Sequence, residues 1–580
     1  MGAAAAEMPP PYRPITPTLE GHTVVLTGHD LTVDQVVQVA RYGAKVALSP
    51  EARQRSVDAY GLLLEAAAEG ISVYWFNRGT GSGRERFIFT GDPTAPDNRQ
   101  FLQARQLAVF RRGALAGLGP EVSDEEVVRA MLVVRANTMS FEAASPQLTQ
   151  RLLDLLNERI TPVVQSRGTV GEGDLGPLAN VGATMVGAGA AYYRGVRMSA
   201  AQALKKANLK PLEPFGADDS ALESSNAYAS GQAALMLHDA REALSWADLI
   251  YAIDLNGMNS SISPLAQPVQ ANRPIKWLNW DAARVLAMLR GSYLFDADEH
   301  RIIQDPESLR ASSIRQGAAW AAWAQLRAAV TLQMNSSDHN PAVRVGASPE
   351  DSWELATPQL RQFYVKGGPL SHGQHGFILS NANWDPYPMA NDIEAFTIAL
   401  ANMDVAVGQR LLRFTNTFFT VLAPGDASPG EPGRFGATQG SEVASAALMQ
   451  EIQALIDPVP PEGNAIIKTV EDLQAQTRVK VTRARQVVAD TIDLLAEDLL
   501  TGNYWLDLRK QQDPSRQFGA TPTAVWSAFR KVVPFNGDAL NRDQTIHELA
   551  ASFIRHSEAR IFFEANEQEP VTASEPSLVQ

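Results

Sequence analysis

Residues 167–180, RGTVGEGDLGPLAN, place two carboxylates, Glu172 and Asp174, among four glycines. Asp174 stands where it can cap a helix whose first turn carries Pro177, so the free N–H groups and the dipole of that helix point back into the loop. Such a setting favours negative charge that develops during a reaction. The plain alternative is a glycine-rich connection between two helices. Tyr74 in VYWFNRGTG, residues 73–81, with Asn77 in the same turn, reads as an aromatic anchor under a Gly-rich loop. The turn lacks the Gly-Lys-Ser/Thr ending of a phosphate cradle. Glu307 and Arg310 are one helical turn apart, the spacing of an ordinary surface pair. His372 and His375 have a spacing that some metal sites use, but a glycine lies between them and no third ligand is indicated, so no metal is expected.

Composition removes whole classes of function. The formal charge of −14 and the lack of basic runs argue against a nucleic-acid or anionic-membrane partner. With no cysteine there is no disulfide, thiolate metal site or cysteine nucleophile. The N-terminus has no charged region leading into an apolar one, and no apolar run approaches the roughly 20 residues of a membrane span. A cytoplasmic protein acting on a small molecule is the expectation.

The elements that position these residues are mainly helices. At 580 residues the chain exceeds one compact core. Residues 123–126 have capping-box spacing, and Ser145-Pro146 opens the next helix. Longer helical patterns cover 316–333, 393–415, 440–455 and 465–500, and the prolines at 458–461 close the third of these. Residues 19–83 mix a helix at 32–42 with apolar runs at 23–26 and 71–76. The fold class is mainly α, an elongated bundle of long helices with a small α+β N-terminal head. The expected divisions are a disordered tail at 1–18, the head and active-loop region at 19–200, the long-helix bundle at 201–503, a helical region at 504–563 and a disordered tail at 564–580. A Pro/Gly segment at 424–436 reads as a mobile surface loop. Trp277, Trp280, Trp320 and Trp323, at helical spacing, read as core or subunit interface.

Gly168-Thr-Val-Gly171 and Asp174-Leu-Gly-Pro-Leu178 resemble the two flanks of the G-S-V-G-A-S-G-D-L-x-P-L signature of histidine and phenylalanine ammonia-lyases and the related aminomutases. The resemblance spans most of residues 19–500. In that family the Ala-Ser-Gly triad cyclises and dehydrates to a methylidene-imidazolone (MIO) prosthetic group. Here Glu172-Gly173 stand where three residues are needed, and glutamate has no β-hydroxyl to lose, so MIO is expected to be absent. Residues 73–81 resemble the Y-G-x-N-T-G-F-G loop, which implies that Tyr74 is the catalytic tyrosine and matches Asn77. Residues 304–310 resemble Q-D-x-Y-S-x-R, which implies that Arg310 grips the substrate carboxylate. Glu307 replaces the tyrosine of that motif, and can neutralise Arg310, reposition it or act as an acid/base. Residues 446–453 resemble A-A-L-x-S-E-N-K, placing Glu451 near the substrate amine. Glu471-Asp472 match the E-D of Q-E-D-H, with Leu473 for the histidine. Residues 383–388 resemble N-F-H-G-x-P with Trp384 and Asp385 substituted, and Asn226 stands one residue from the asparagine of N-G-T-Q. Trp384 and Asn226, with Asn77, are the further substrate-binding candidates. The resemblance also implies a homotetramer.

Three readings follow. The first is an MIO-independent enzyme doing proton-transfer chemistry (elimination, addition, cyclisation or isomerisation) on a small carboxylate- or amine-bearing substrate, with Tyr74, Glu172, Glu307 and Glu451 as acid/base groups. The second is an aromatic amino acid ammonia-lyase or aminomutase. The third is a non-catalytic binding or assembly relative.

Overall fold

The computed structural model describes residues 11–414, 439–535 and 543–563. The first strands, β1 (Thr23–Leu26) and β2 (Lys45–Leu48), pair in parallel. Between them lies helix α1 (Val33–Ala40), opened by a capping box in which Thr32 accepts from the Gln35 N–H and the Gln35 side chain accepts from Thr32 N. Helix α2 (Pro50–Ala68) follows, capped by Ser49 with Pro50 at its first position. The apolar run 71–76 then folds as a turn, because the Asn77 amide accepts from Val73 N and donates to Ile71 O, both at 2.7 Å.

Helices α3 (Glu125–Thr138) and α4 (Pro146–Asn157) pack together. Ser145 caps α4 as the sequence indicates. The box expected at Ser123 and Glu126 does not form: Asp124 is the cap residue of α3 and is bound by Arg13, while the Glu126 carboxylate accepts from Arg41 Nε at 2.6 Å. Long-range arginines here outcompete the local cap. Residues 11–18, expected to belong to a loose tail, are held down. Arg13 N donates to Ser123 O at 2.8 Å, Ile15 N to Glu125 Oε2 at 3.0 Å, and Tyr12 stacks on Tyr192.

Helix α5 (Leu175–Met185) is followed by the long helices α6 (Ala227–Met258), α7 (Ser312–Met334), α8 (Tyr387–Arg413), α9 (Gln439–Leu455) and α10 (Thr477–Gln512). The last was expected from residue 465. It begins at Thr477 because Ile467, Lys468, Thr469 and Gln476 all adopt positive φ, which a helix cannot accommodate. No described helix is long and apolar enough to cross a membrane. The expectations for residues 1–10, 424–436 and 564–580 lie outside the described residues.

The chain divides into two compact units. The first comprises the described residues of Met1–His238, Arg327–Asn391 and Val459–Thr482, and the second those of Asp239–Leu326, Asp392–Pro458 and Arg483–Gln580. All the sheets lie in the first: the parallel pair, a two-stranded antiparallel sheet of Leu118–Glu121 with Gln165–Arg167, and two three-stranded antiparallel sheets. Among the described residues the strands thus come from two separated stretches of chain, 23–199 and 342–379. Leu62, Leu63, Val73, Phe76, Val365 and Ile378 are buried together there. In the second unit the four tryptophans meet in one aromatic cluster, with ring centroids of successive pairs 5.4–5.5 Å apart, and Trp320 and Trp323 are buried. Trp320 and Trp323 thus belong to the core, while Trp277 and Trp280 are half-buried.

Candidate functional site

The loop after strand Gln165–Arg167 is closed by main-chain bonds. Gly176 N donates to Gly168 O at 3.0 Å and Asp174 N to Ser225 O at 2.6 Å. Inside it, Thr169 Oγ1 accepts from Gly171 N at 3.0 Å and donates to Gly173 O at 3.1 Å. Gly171 has φ +97°, where a side chain is strained. The start of α10 presses on it: Gln476 N donates to Val170 O at 3.0 Å and Thr477 Oγ1 to Gly171 O at 3.2 Å. A Cβ on Gly171 would stand 2.4 Å from Thr477 N and 2.5 Å from Gln476 N. Gly171→Ala is therefore expected to cost about 1–3 kcal/mol, seen as a lower urea midpoint; an unchanged midpoint would show that the loop and α10 are not in this contact.

Asp174 occupies the cap position of α5 but makes no side-chain bond to that helix. Its Oδ2 accepts instead from Ala229 N at 3.0 Å, in the first turn of α6. Burial pushes this carboxyl up to about 6, against the lowering effect of the Ala229 and Tyr228 N–H groups. Beside it, Asn226 is fully buried and works as a clamp. Its Oδ1 accepts from Gly173 N at 3.2 Å, its Nδ2 donates to Trp384 O at 2.5 Å, and its backbone N–H donates to Asp338 Oδ2 at 2.7 Å. The same Asp338 oxygen accepts from Ser225 Oγ at 2.7 Å, and its other oxygen lies 3.5 Å from Arg135, which is ion-paired with Glu142 at zero exposure. Asp338 was not singled out from sequence. The signal for it is the polar run 335–340 immediately after an apolar helix.

Glu172 projects from the middle of this clamped loop. The residue is 6% exposed, and neither carboxylate oxygen has a hydrogen-bond partner among the described residues. Burial, and then repulsion by Asp385, Glu471 and Asp472, push its carboxyl up to about 7. Near neutral pH it therefore exists in both protonation states, as an acid/base group must.

Tyr74 faces the same acidic segment. Burial raises its phenol above the ordinary range, the Gly81 N–H that its oxygen accepts at 3.3 Å opposes this, and Glu471 raises it further. Within this unit the phenol keeps its proton at neutral pH, so it is placed to donate a hydrogen bond and lacks the lowered pKa of a base. Its neighbour Trp75 sits at φ +58°, held by an indole N–H that donates to Asp219 Oδ2 at 3.0 Å, and its ring meets Tyr74 edge-on. Asn77 has its amide oxygen and nitrogen engaged within the turn, and so shapes the Tyr74 loop. Trp384 is half-buried, with its indole N–H donating to Asn381 O at 3.1 Å.

Glu172, Tyr74, Asn226 and Trp384 thus belong to the first unit, as do Asp385, Glu471 and Asp472. The other candidates belong to the second. There Arg310 Nη2 lies 3.6 Å from Glu307 Oε1, the Glu307 side chain is 88% exposed, and Arg310 Nε donates to Asp305 O at 2.9 Å. That geometry is the ordinary surface pair. Glu451 is exposed on α9, and its charge adds to the burial that raises the carboxyl of Asp490. Among the described residues no group of three or more His, Asp or Glu is placed to hold a metal.

The loop does not fit an MIO group. That group needs a serine hydroxyl to eliminate, flanked by a residue on each side that can cyclise. Thr169 carries the sole hydroxyl of residues 168–178, and it is bonded to Gly171 N and Gly173 O on the loop's inner side. Position 172 presents a carboxylate.

Known proteins place this architecture. A family model described as aromatic amino acid lyase matches residues 31–531. A histidine ammonia-lyase of Sorangium cellulosum is 29% identical over 521 residues, 88% of this chain and 93% of the relative; one of Caldanaerobacter subterraneus is 26% identical over 493 residues, 84% and 88%. Among solved structures, the ergothioneine-degrading enzyme ergothionase of Treponema denticola superposes with a TM-score of 0.77 at 23% identity, covering 94% of this chain and all of that one. Tyrosine aminomutase of Streptomyces globisporus gives 0.75 at 24%, covering 93% and 98%. These neighbours share the mainly helical fold, and with the family match over most of its length the chain belongs to the aromatic amino acid lyase family.

Proposed function

We propose that the protein is a lyase of the ammonia-lyase and aminomutase type, eliminating a nitrogen group from a small amino-acid-like substrate with Glu172 moving the proton in place of MIO. The carrying observation is the buried, unpartnered Glu172 carboxyl, held near neutrality where the family builds its electrophile. A carboxylate in that state can take a proton from carbon and return it to water in each cycle. Tyr74, which keeps its proton, serves as a hydrogen-bond donor. Asn226 and Thr169 hold the loop so that the carboxylate does not drift. Arg310, by resemblance, grips the substrate carboxylate in a homotetramer, after leaving its pairing with Glu307. That a neighbour of this fold is an ergothioneine-degrading enzyme supports a substrate range wider than that of the ammonia-lyases.

The second reading, a conventional aromatic amino acid ammonia-lyase or aminomutase, draws support from the histidine ammonia-lyases that match over most of the chain. Intact mass and a near-ultraviolet spectrum separate the two. The expected result is the mass of the unmodified chain, no additional chromophore, and no ammonia from histidine, phenylalanine or tyrosine. A mass deficit of two water molecules accompanied by ammonia release would establish the conventional enzyme instead.

A further inference from the structure

We propose that the first unit carries a second binding site, apart from Glu172, which takes a free α-amino acid with an aliphatic side chain as its zwitterion and stiffens the Glu172 loop when filled. The site does not depend on the chemistry assigned to Glu172.

A cavity of about 440 Å³ lies between residues 169–170, the segment 459–462 and the start of α10. Small-molecule sites span roughly 300–1,000 Å³. Glu172 does not line this cavity, but two opposite charges do, Glu462 and Arg478. Among the described residues they form no ion pair with each other. Glu462 is fixed elsewhere: its main chain bridges to Gln474, and its carboxylate accepts from Asn464 Nδ2 and lies 3.5 Å from Gln476 Nε2. The Nε of Arg478 is buried and has no hydrogen-bond partner among the described residues.

A guanidinium nitrogen removed from water without an acceptor is costly, and a carboxylate is the planar group that its fork matches. A plain anion there would meet the repulsion of Glu462, and a plain cation that of Arg478. A ligand carrying both charges answers both residues. The rest of the lining includes Val170, Pro460 and Val479, which suit an aliphatic side chain.

Gln476 ties the cavity to the loop. Its N–H donates to Val170 O at 3.0 Å while its side-chain amide donates to Pro460 O at 2.9 Å, so one residue, at φ +57°, spans from the loop to the 459–462 wall. A ligand bracing those walls holds the Gln476 amide closed against solvent.

The test is calorimetric binding to the full-length protein of L-leucine and of two fragments of it, 4-methylpentanoate, which lacks the ammonium group, and 3-methylbutylamine, which lacks the carboxylate. Leucine is expected to bind at least about tenfold tighter than either fragment. Arg478 is half-buried and Glu462 exposed, so both can be replaced without opening the core. Arg478→Gln should weaken leucine by about tenfold or more, and Glu462→Gln should remove the preference for leucine over 4-methylpentanoate. Hydrogen exchange places the site: leucine should slow exchange in peptides covering 168–178 and 459–479 of the wild type and leave those of Arg478→Gln unchanged. Leucine binding that Arg478→Gln does not weaken lies elsewhere and overturns the proposal. So does a wild type that binds 4-methylpentanoate as tightly as leucine, which would be a plain anion site, or that binds no leucine at about 10 mM. Exchange that leucine leaves unchanged at residues 168–178 overturns the coupling to the loop.

Discussion

Glu172→Gln is expected to lower turnover by about 10²–10⁴-fold, the usual contribution of a positioned acid/base group, while making the folded protein more resistant to heat above pH 7. The two effects run in opposite directions because the same burial that tunes the carboxylate also penalises it. The carboxyl of Glu172 is raised from its ordinary value to about 7, so the folded state holds a proton that the unfolded state has already released. Its contribution to stability is fully present below the ordinary carboxylate range and is lost as pH rises through about 7. The loss is on the order of 3 kcal/mol. Glutamine cannot ionise and escapes it. Scanning calorimetry of both proteins between pH 4 and pH 9 should show curves that coincide at the acid end, separate as pH rises from the ordinary carboxylate range to about 7, and stay apart above it, with the variant melting higher. The wild-type rate should rise with pH through about 7 as the base form appears. A variant that keeps the wild-type rate would remove Glu172 from the chemistry, and coincident melting curves at pH 8 would remove the buried-charge argument.

Replacing Arg135 by methionine is expected to cost about 3–5 kcal/mol, the penalty of leaving a buried carboxylate without its partner. Arg135, on α3, is fully buried against residues 138–142 and the segment near residue 221. It is ion-paired with Glu142, donates to Thr138 Oγ1 at 2.7 Å and to Leu222 O at 3.0 Å, and lies 3.5 Å from Asp338. Methionine fills much of the volume and satisfies none of these acceptors. Because Asp338 holds Ser225 and Asn226, and Asn226 holds Gly173, the damage should reach the loop as well as the fold. Urea midpoints measure the first effect. The second appears as a loss of activity larger than the fraction unfolded explains. The double variant Arg135→Met/Glu142→Leu should regain part of the stability, since removing both charges also removes the desolvation debt. A single variant within about 1 kcal/mol of wild type would contradict the buried ion pair.

What could be read from the sequence was what depends on local chemistry. The helix read from residue 32 and the start read at Ser145-Pro146 are set by bonds made within one turn, and each forms where expected. The long helices α7, α8 and α9 carry few interruptions and stand where the pattern puts them. Errors arose where a distant partner takes over. Glu126 looked like a capping-box residue, and Arg41, just past the end of α1, claims it. Asp174 looked like the cap of α5, and its carboxylate turns to α6. The turn at 71–76 depends on Asn77 reaching back to two main-chain groups, which apolar patterning does not reveal. For the site, Gly168 to Leu178 and Tyr74 could be placed by motif, as could Glu471 and Asp472. That these last two bear on Glu172 became visible only once the bonds from Gln476 and Thr477 were seen to draw their segment onto the loop.

The main-chain closure of residues 168–176 separates the path of the loop from the identity of its reacting side chain. Gly168, Gly171 and Gly173 with the Thr169 hydroxyl set that path, and the Glu172 side chain contributes no hydrogen bond to it. Exchange at position 172 therefore leaves the hydrogen bonds that set the path in place while altering what the loop can do to a molecule. The loop is in that sense a socket: its path is set by main-chain and threonine bonds, and the side chain at position 172 is the plug.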